Sequence, residues 1–341
     1  MLREPYSEKF YTHHSKYINN RLALRPPQGD NLERFAKIVD VLSLSKTPDL
    51  ADELTKIRTL FPTLSSFERE FPSVCFALAT GIGKTRLMGA LIAYLVYEKG
   101  IKNFFVMAPN LTIYKKLKAV LGDPSNQKYV FKGLDKFVTP PRIIDGDNYE
   151  EFRQINLLSS DITINIFNIS KLNSESGRMR RLQEVLGQSY FSYLQSLPDL
   201  CIFMDESHHY HADRGFDTIN ELHPILGVEL TATPQIQKGA RKIDFKNVVY
   251  EYPLAHALND GLYVKIPAVF TRRDFHPEEY TPEQLGREKL NDGIRIHEET
   301  KSILDVYART HQPKPVVKPF VLVVAKDTVH SRIIREYLTS D

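Results

Sequence analysis

Residues 73–85, Ser-Val-Cys-Phe-Ala-Leu-Ala-Thr-Gly-Ile-Gly-Lys-Thr, constrain this chain more than any other stretch. Residues 73–79 are an apolar run of strand type, broken at Gly81 and Gly83. Residues 85–97 follow a helical pattern, with Leu87, Met88, Leu91, Ile92, Leu95 and Val96 on one broad apolar face. Strand, glycine turn, Lys-Thr and helix form the layout of a phosphate-binding loop. The glycines let successive N–H groups point into one concavity, and the helix adds the positive end of its dipole. In such a loop Lys84 reaches the β- and γ-phosphates, and Thr85 offers its hydroxyl to Mg²⁺. The strict pattern G-x-x-x-x-G-K-S/T is not met, because Leu78 stands at its first position. A glycine turn with a chance Lys-Thr is the plainer alternative, and the flanking strand and helix argue against it.

A second stretch explains the first. Residues 200–208, Leu-Cys-Ile-Phe-Met-Asp-Glu-Ser-His, suit a strand buried on both faces of a parallel sheet. It delivers Asp205 and Glu206 at its C-terminal end, where open α/β sheets place their ligands. Asp205 would hold Mg²⁺, through water, and Glu206 would orient or deprotonate an attacking water. His208, His209, His211 and Asp213 offer a zinc cluster instead, but no second ligand pair accompanies them. Residues 227–234 read as a strand ending in Thr231 and Thr233, which alternation puts on one face. Two β-branched residues in a strand account for Thr-Ala-Thr equally well.

The remaining chain supplies a frame. Its 341 residues suit about two domains, and a net charge of +3 leaves any nucleic-acid surface to local patches. The two cysteines, Cys75 and Cys201, lie in apolar runs and read as core residues of a protein in a reducing cytoplasm. The N-terminus lacks an apolar signal region, and the longest apolar run is about half the ~20 residues that span a bilayer, so no membrane role is expected. Residues 1–20 show no clear period and suggest an arm or edge element. Helices are expected over 31–44 and 49–60. Gln28 offers a donor and an acceptor together, which suits the edge of adenine, though a lone glutamine is ordinarily a surface residue.

A strand over 102–108 leads through Pro109 and Asn110 into a helix carrying Lys115, Lys116 and Lys118. These lysines are either solvated or in contact with a nucleic-acid backbone. Loops fill 122–148, a strand covers 161–169, and a helix with Arg178, Arg180 and Arg181 covers 177–187. A strand over 248–252, a helix over 254–259, a strand over 261–270 and a charged helix over 281–311 follow. Pro313, Pro315 and Pro319 mark a linker. A buried strand over 319–326 and a helix through Ile334 and Leu338 come last. One strand and one helix cannot bury a sheet core, so the chain is expected to end just inside a second domain.

In order, Ala79-Thr80-Gly81-Ile82-Gly83-Lys84-Thr85, Asp205-Glu206-Ser207-His208 and Thr231-Ala232-Thr233 resemble motifs I, II and III of superfamily 2 helicases, the second being a DExH box. Leu24-Arg25-Pro26-Pro27-Gln28 is similar to the adenine-reading glutamine motif, and Ala108-Pro109-Asn110 to motif Ia. Phe167-Asn168-Ile169-Ser170-Lys171-Leu172 looks like a later nucleic-acid contact motif. The wording around these boxes, across roughly residues 22–341, resembles the Res subunit of type III restriction–modification enzymes.

That resemblance implies an α/β fold: a RecA-like P-loop NTPase sheet with helices on both faces, then a linker and the start of a second such domain. The implied divisions are 1–69 with the adenine-reading motif, 70–260 as the first RecA-like domain, 261–318 as strand, charged helix and linker, and 319–341 as the incomplete second domain. ATP and Mg²⁺ would sit on Thr80, Gly81, Ile82, Gly83, Lys84, Thr85 and Asp205, with Glu206 catalytic and Gln28 on the base. His208, Thr231, Thr233, Pro109 and Asn110 would couple hydrolysis to duplex DNA, and a Mod-like methyltransferase subunit would be the partner. Motifs V and VI with their arginine fingers, and a nuclease, are not found; Glu299-Thr300-Lys301 is only a loose echo of one. The implied function is an ATP-dependent DNA motor domain of low activity by itself. The competing reading is a nucleotide-binding module that docks to a partner subunit.

Overall fold

In the computed structural model, which describes residues 12–145, 161–168, 188–210, 219–238, 241–264, 272, 275–311 and 317–339, the apolar runs become one parallel sheet. Its strands are β1 (Ser73–Leu78), β2 (Asn103–Ala108), β3 (Arg142–Ile144), β4 (Thr163–Asn168), β5 (Cys201–Asp205), β6 (Leu226–Thr231) and β9 (Val248–Tyr252). They lie in the order β3-β4-β2-β5-β6-β1-β9. β1, β4, β5 and β6 are buried at every position, which is why β1 and β5 read as nearly continuous apolar runs rather than alternating ones. Alternate residues feed two cores. Phe104, Val106 and Phe203 pack on one face, while Phe105, Met107, Ile202 and Met204 pack on the other against Tyr190, Phe191 and Leu194. The last three belong to α6 (Gln188–Ser196), a helix the periodicity does not announce. This is the expected RecA-like sheet with helices on both faces. β6 separates β1 from β5, so its end lies between the glycine turn and the two carboxylates.

Three N-terminal helices join this core. α1 (His13–Arg21) stands where an arm or edge element is expected. Thr12 caps it by accepting from the Ser15 N–H at 3.1 Å, and Ile18 is fully buried. Its polar surface hides a narrow apolar contact, so no period is visible. α2 (Pro26–Val41) begins five residues before the expected start, because Pro26 suits the first helical turn and the Gln28 side chain reaches back to accept from the Arg25 N–H. Phe35 of α2 meets Phe76 of β1 and Tyr94, each with ring centroids 6.1 Å apart. α3 (Leu50–Leu60) forms as expected.

Tyr94 belongs to α4 (Lys84–Lys99), the helix after the glycine turn. α4 is not merely one-faced: every residue from Leu87 to Tyr97 is buried, because α1 and α2 cover its outer side. A Cβ at Gly89 would come within 2.6 Å of Val130. Cys75 and Cys201 are free and buried, and desolvation pushes both thiols well above the ordinary range, so they are inert core residues.

The chain divides into two compact units, Met1–Ile266 and Pro267–Asp341. The second contains α8 (Pro282–Thr310), opened by a capping box between Thr281 and Gln284, and α9 (Thr328–Thr339). The strand expected over 319–326 does not form. Those residues make no ladder, and Phe320, Leu322 and Val324 are 84%, 79% and 85% exposed. A strand-type sequence needs a neighbouring strand to complete its ladder, and none pairs with it among the described residues. Residues 261–264 are likewise not a strand, and 265–270 lie outside the described residues, as does the helix expected over 177–187. Among the described residues, no helix is long and apolar enough to cross a membrane.

Candidate functional site

The glycine turn is held in shape from two sides. Gly81 and Gly83 have φ of 91° and 102°, in the left-handed region that disfavours any side chain. Gly83 has a steric requirement as well, since a Cβ there would lie 2.5 Å from Gln28 Nε2. Gly83 also stands at the head of α4 without a side-chain cap, leaving first-turn N–H groups to face the turn. Ile82 is fully buried and its N–H bonds Ala79 O at 3.3 Å, closing the turn. Thr80 is exposed and Thr85 half-buried.

α2 braces the turn. Gln28 is 1% exposed, and its Nε2 donates to Ile82 O at 3.0 Å and Gly83 O at 2.9 Å. Its Oε1 accepts from the Arg25 N–H at 2.9 Å. Arg25 Nη1 donates to Gly81 O at 2.7 Å and Ile82 O at 3.2 Å, and the guanidinium lies 4.9 Å over the Tyr263 ring. Gln28 is therefore no surface residue, and both amide N–H groups are committed to the turn. The part played by Arg25 was not foreseen; its position three residues before Gln28, at the head of the same helix, was the available signal.

The two carboxylates meet the turn as expected. Lys84 Nζ lies 3.0 Å from Glu206 Oε1 and donates to Leu78 O at 3.4 Å. Glu206 holds a left-handed φ of 51°, a strained backbone for a non-glycine residue and the kind of strain that collects at working sites. Asp205 is 6% exposed, and its Oδ1 has no hydrogen-bond partner. Burial, and then the charge of Glu206, raise its pKa to about 6 against the opposing pull of Lys84 and Lys116. A buried carboxylate oxygen without a hydrogen-bond partner fits a hard divalent cation, which takes oxygen ligands and compensates for the desolvation.

A relay leaves the carboxylates toward β6. His208 Nδ1 lies 2.9 Å from Thr231 Oγ1 and 3.7 Å from Glu206 Oε2. Thr231 Oγ1 donates to Thr233 O at 3.1 Å and accepts from the Thr233 N–H at 3.0 Å. With its one proton so committed, Thr231 accepts from His208, which assigns the histidine proton to Nδ1. The expectation that Thr231 and Thr233 share a strand face is corrected: β6 ends at Thr231, and Thr233 folds back on the Thr231 hydroxyl. The link between them is a hydrogen bond, not strand alternation.

The other expected residues lie as follows in the fold. Pro109 and Asn110 follow β2, and Asn110 caps α5 (Leu111–Gly122) by accepting from the Ile113 N–H at 2.9 Å. Lys115 and Lys116 are exposed on α5, whereas Lys118 is paired with Asp145 and lies 5.4 Å over the Tyr114 ring. Lys118 is thus structural and leaves the set of candidate backbone contacts. His211, Asp213 and residues 169–172 lie outside the described residues, among which no group of three metal-binding side chains occurs.

Comparison with known proteins agrees with this geometry. The family model described as "Type III restriction enzyme, res subunit" matches residues 21–236. The chain is 30% identical over 156 residues to the probable type III restriction-modification enzyme HindVIP Res subunit of Haemophilus influenzae, covering 42% of this chain and 27% of that protein. It therefore spans about a quarter of that relative's length. Among solved structures, the type ISP restriction-modification enzyme LlaBIII bound to DNA is 13% identical, with a TM-score of 0.38 over 55% of this chain and 14% of that one. The Sulfolobus solfataricus SWI2/SNF2 ATPase core in complex with double-stranded DNA is 17% identical, with a TM-score of 0.34 over 69% of this chain and 34% of that one.

Proposed function

The chain belongs to the type III restriction enzyme Res-subunit family, and from that premise we propose that it is the ATP-binding part of a DNA-dependent ATPase motor. The observation that carries the proposal is the 3.0 Å approach of Lys84 to Glu206 across a glycine turn whose neighbour, Asp205, holds an unpartnered buried oxygen. A turn that presents N–H groups and a lysine suits phosphate, and a buried carboxylate pair suits a cation and a water.

In this reading ATP phosphates take over Lys84, which releases Glu206 to hold the attacking water. Thr85 and Asp205 would hold Mg²⁺, which would supply positive charge to the phosphates. Gln28 and Arg25 keep the turn in its receptive shape, and Gln28 also meets the base. His208 reports the state of Glu206 to Thr231 and Thr233. Lys115 and Lys116, after Pro109 and Asn110, contact DNA phosphates. A Mod-like partner follows from the relative's description as the Res subunit of a restriction-modification enzyme. Arg25 is committed to the turn carbonyls and does not serve as a finger, so hydrolysis by this chain alone is slow.

The test is phosphate release with ATP and Mg²⁺, with and without duplex DNA, on this chain and on Lys84→Ala. The expected result is slow release that DNA accelerates and the substitution abolishes, with weaker ATP binding by calorimetry. Tight ATP binding without any DNA response would favour a docking module instead; equal ATP affinity in both proteins would remove the nucleotide site.

A further inference from the structure

Directly after Thr233 the chain forms an antiparallel hairpin that none of the assigned motifs uses. Its strands are β7 (Gln235–Lys238) and β8 (Arg241–Asp244), paired only with each other in a separate two-stranded sheet. From 235 to 246 it carries Lys238, Arg241, Lys242 and Lys246 against a single carboxylate, Asp244. Asp244 is already engaged, accepting from Gln235 Nε2 at 2.8 Å. All four residues of β8 are exposed, and so is Lys246. Solvating a free edge would need charge of either sign; this hairpin concentrates one sign.

The register sharpens that point. Lys238 stands directly opposite Arg241, and like charges placed opposite each other across strands destabilise a hairpin. By sequence and register the two positions offer an anion two positive charges. Ile236 stands opposite Ile243 on the same face, and Ile243 is 39% exposed. A cationic pair followed by an apolar pair suits a phosphate and the sugar beside it.

The root of the hairpin is tied to the relay from the nucleotide site. Thr233 O accepts both the Thr231 hydroxyl at 3.1 Å and the Gln235 N–H at 2.8 Å. On the other strand, the Phe245 N–H bonds Pro234 O at 2.9 Å, and Phe245 is buried. Glu206, His208, Thr231 and Thr233 thus lead by short contacts to the first residue of β7.

We propose that this hairpin is a phosphate-contacting arm for DNA, rooted in the nucleotide relay through Thr233. The proposal rests on the DNA-motor reading and adds the element that grips the strand. Each phosphate contact contributes about 0.9 to the slope of log affinity against log salt on duplex DNA. The test replaces Lys238, Arg241 and Lys242 together by Gln and titrates a short labelled duplex at several salt concentrations. A matched control, Lys128→Gln with Lys132→Gln, removes exposed charge elsewhere. The hairpin variant should lower the slope by about 2 to 3, and should lose DNA stimulation of phosphate release while ATP affinity and melting temperature stay unchanged. The control should keep the wild-type slope. A hairpin variant with wild-type slope and affinity overturns the arm and leaves the motor reading intact. Equal loss in the control overturns it too, by reducing the effect to net charge. A wild-type chain that ignores DNA overturns the motor reading, and the arm with it.

Discussion

The same sheet carries an ion pair at each end, and the two are built differently. At its N-terminal edge, Arg69 Nε meets Glu229 Oε1 at 3.2 Å with both side chains fully buried. The same oxygen accepts from Ser73 Oγ at 3.0 Å and Asn247 Nδ2 at 3.1 Å, tying together the segments that open β1 and β9. At the C-terminal edge, Lys84 and Glu206 are 9% and 23% exposed, the Glu206 backbone is strained, and the neighbouring Asp205 Oδ1 is unpartnered. In the first pair one carboxylate oxygen of Glu229 has its hydrogen bonds supplied from within the protein, and through it the sheet's segments are tied together. The second is short of partners and shielded only in part, which is the state of groups awaiting a ligand. A pair of opposite charges is thus structural or functional according to what else its oxygens hold.

The largest test of this contrast is Glu206→Gln. Loss of a water-orienting carboxylate should slow hydrolysis by about 10²–10⁴-fold. The half-shielded pair it breaks is worth at most about 1 kcal/mol of stability. Phosphate release and thermal melting on one preparation measure both. A collapse of stability with hydrolysis intact would exchange the roles assigned to the two edges.

The reciprocal change is Glu229→Ala, which removes the carboxylate oxygen that Arg69, Ser73 and Asn247 share. Breaking such a pair costs about 3–5 kcal/mol, read as a shift of the urea midpoint. Replacing Arg69 by Met in the same background should recover part of that loss, because a buried guanidinium that has lost its carboxylate costs more than an apolar side chain of similar size. No recovery would show that Glu229 acts through its hydroxyl and amide donors alone.

This contrast also explains what was legible beforehand. β1 and β5 declare themselves because strands buried on both faces are almost wholly apolar, and Lys84, Asp205 and Glu206 follow or close them. Glu229 is invisible as a structural ion, since its partner lies 160 residues away in sequence. Arg25 reads as an ordinary arginine until α2 is seen to start at Pro26. Lys118 looks like Lys115 and Lys116 until Asp145 reaches it from beyond β3. The run at 319–326 shows the converse limit. Its sequence is that of a strand, but pairing is a property of neighbours, and no strand pairs with it among the described residues.

A third effect lies at the turn. Gly83→Ala adds a side chain where φ is 102° and Gln28 Nε2 stands 2.5 Å away. Strain of this kind costs about 1–3 kcal/mol, and a distorted turn should weaken ATP. Removing the obstruction with Gln28→Ala should restore only part of the loss, since the backbone strain remains. Complete restoration, measured by calorimetry, would assign the whole penalty to the collision and none to the left-handed turn.

The smallest effect separates the two duties proposed for Gln28. Its N–H groups are held by Ile82 O and Gly83 O, and its Oε1 accepts from the Arg25 N–H with one lone pair to spare. That lone pair accepts from the exocyclic amine of adenine, whereas guanine presents an oxygen in its place. One hydrogen bond is worth about 1 kcal/mol, roughly a fivefold preference for ATP over GTP. Gln28→Ala should therefore do two things in a displacement assay. It should weaken both nucleotides alike, because the turn loses its brace, and it should bring their ratio close to one. Equal affinities in the wild type would leave Gln28 as a brace alone. An unchanged ratio after substitution would move base reading to another residue.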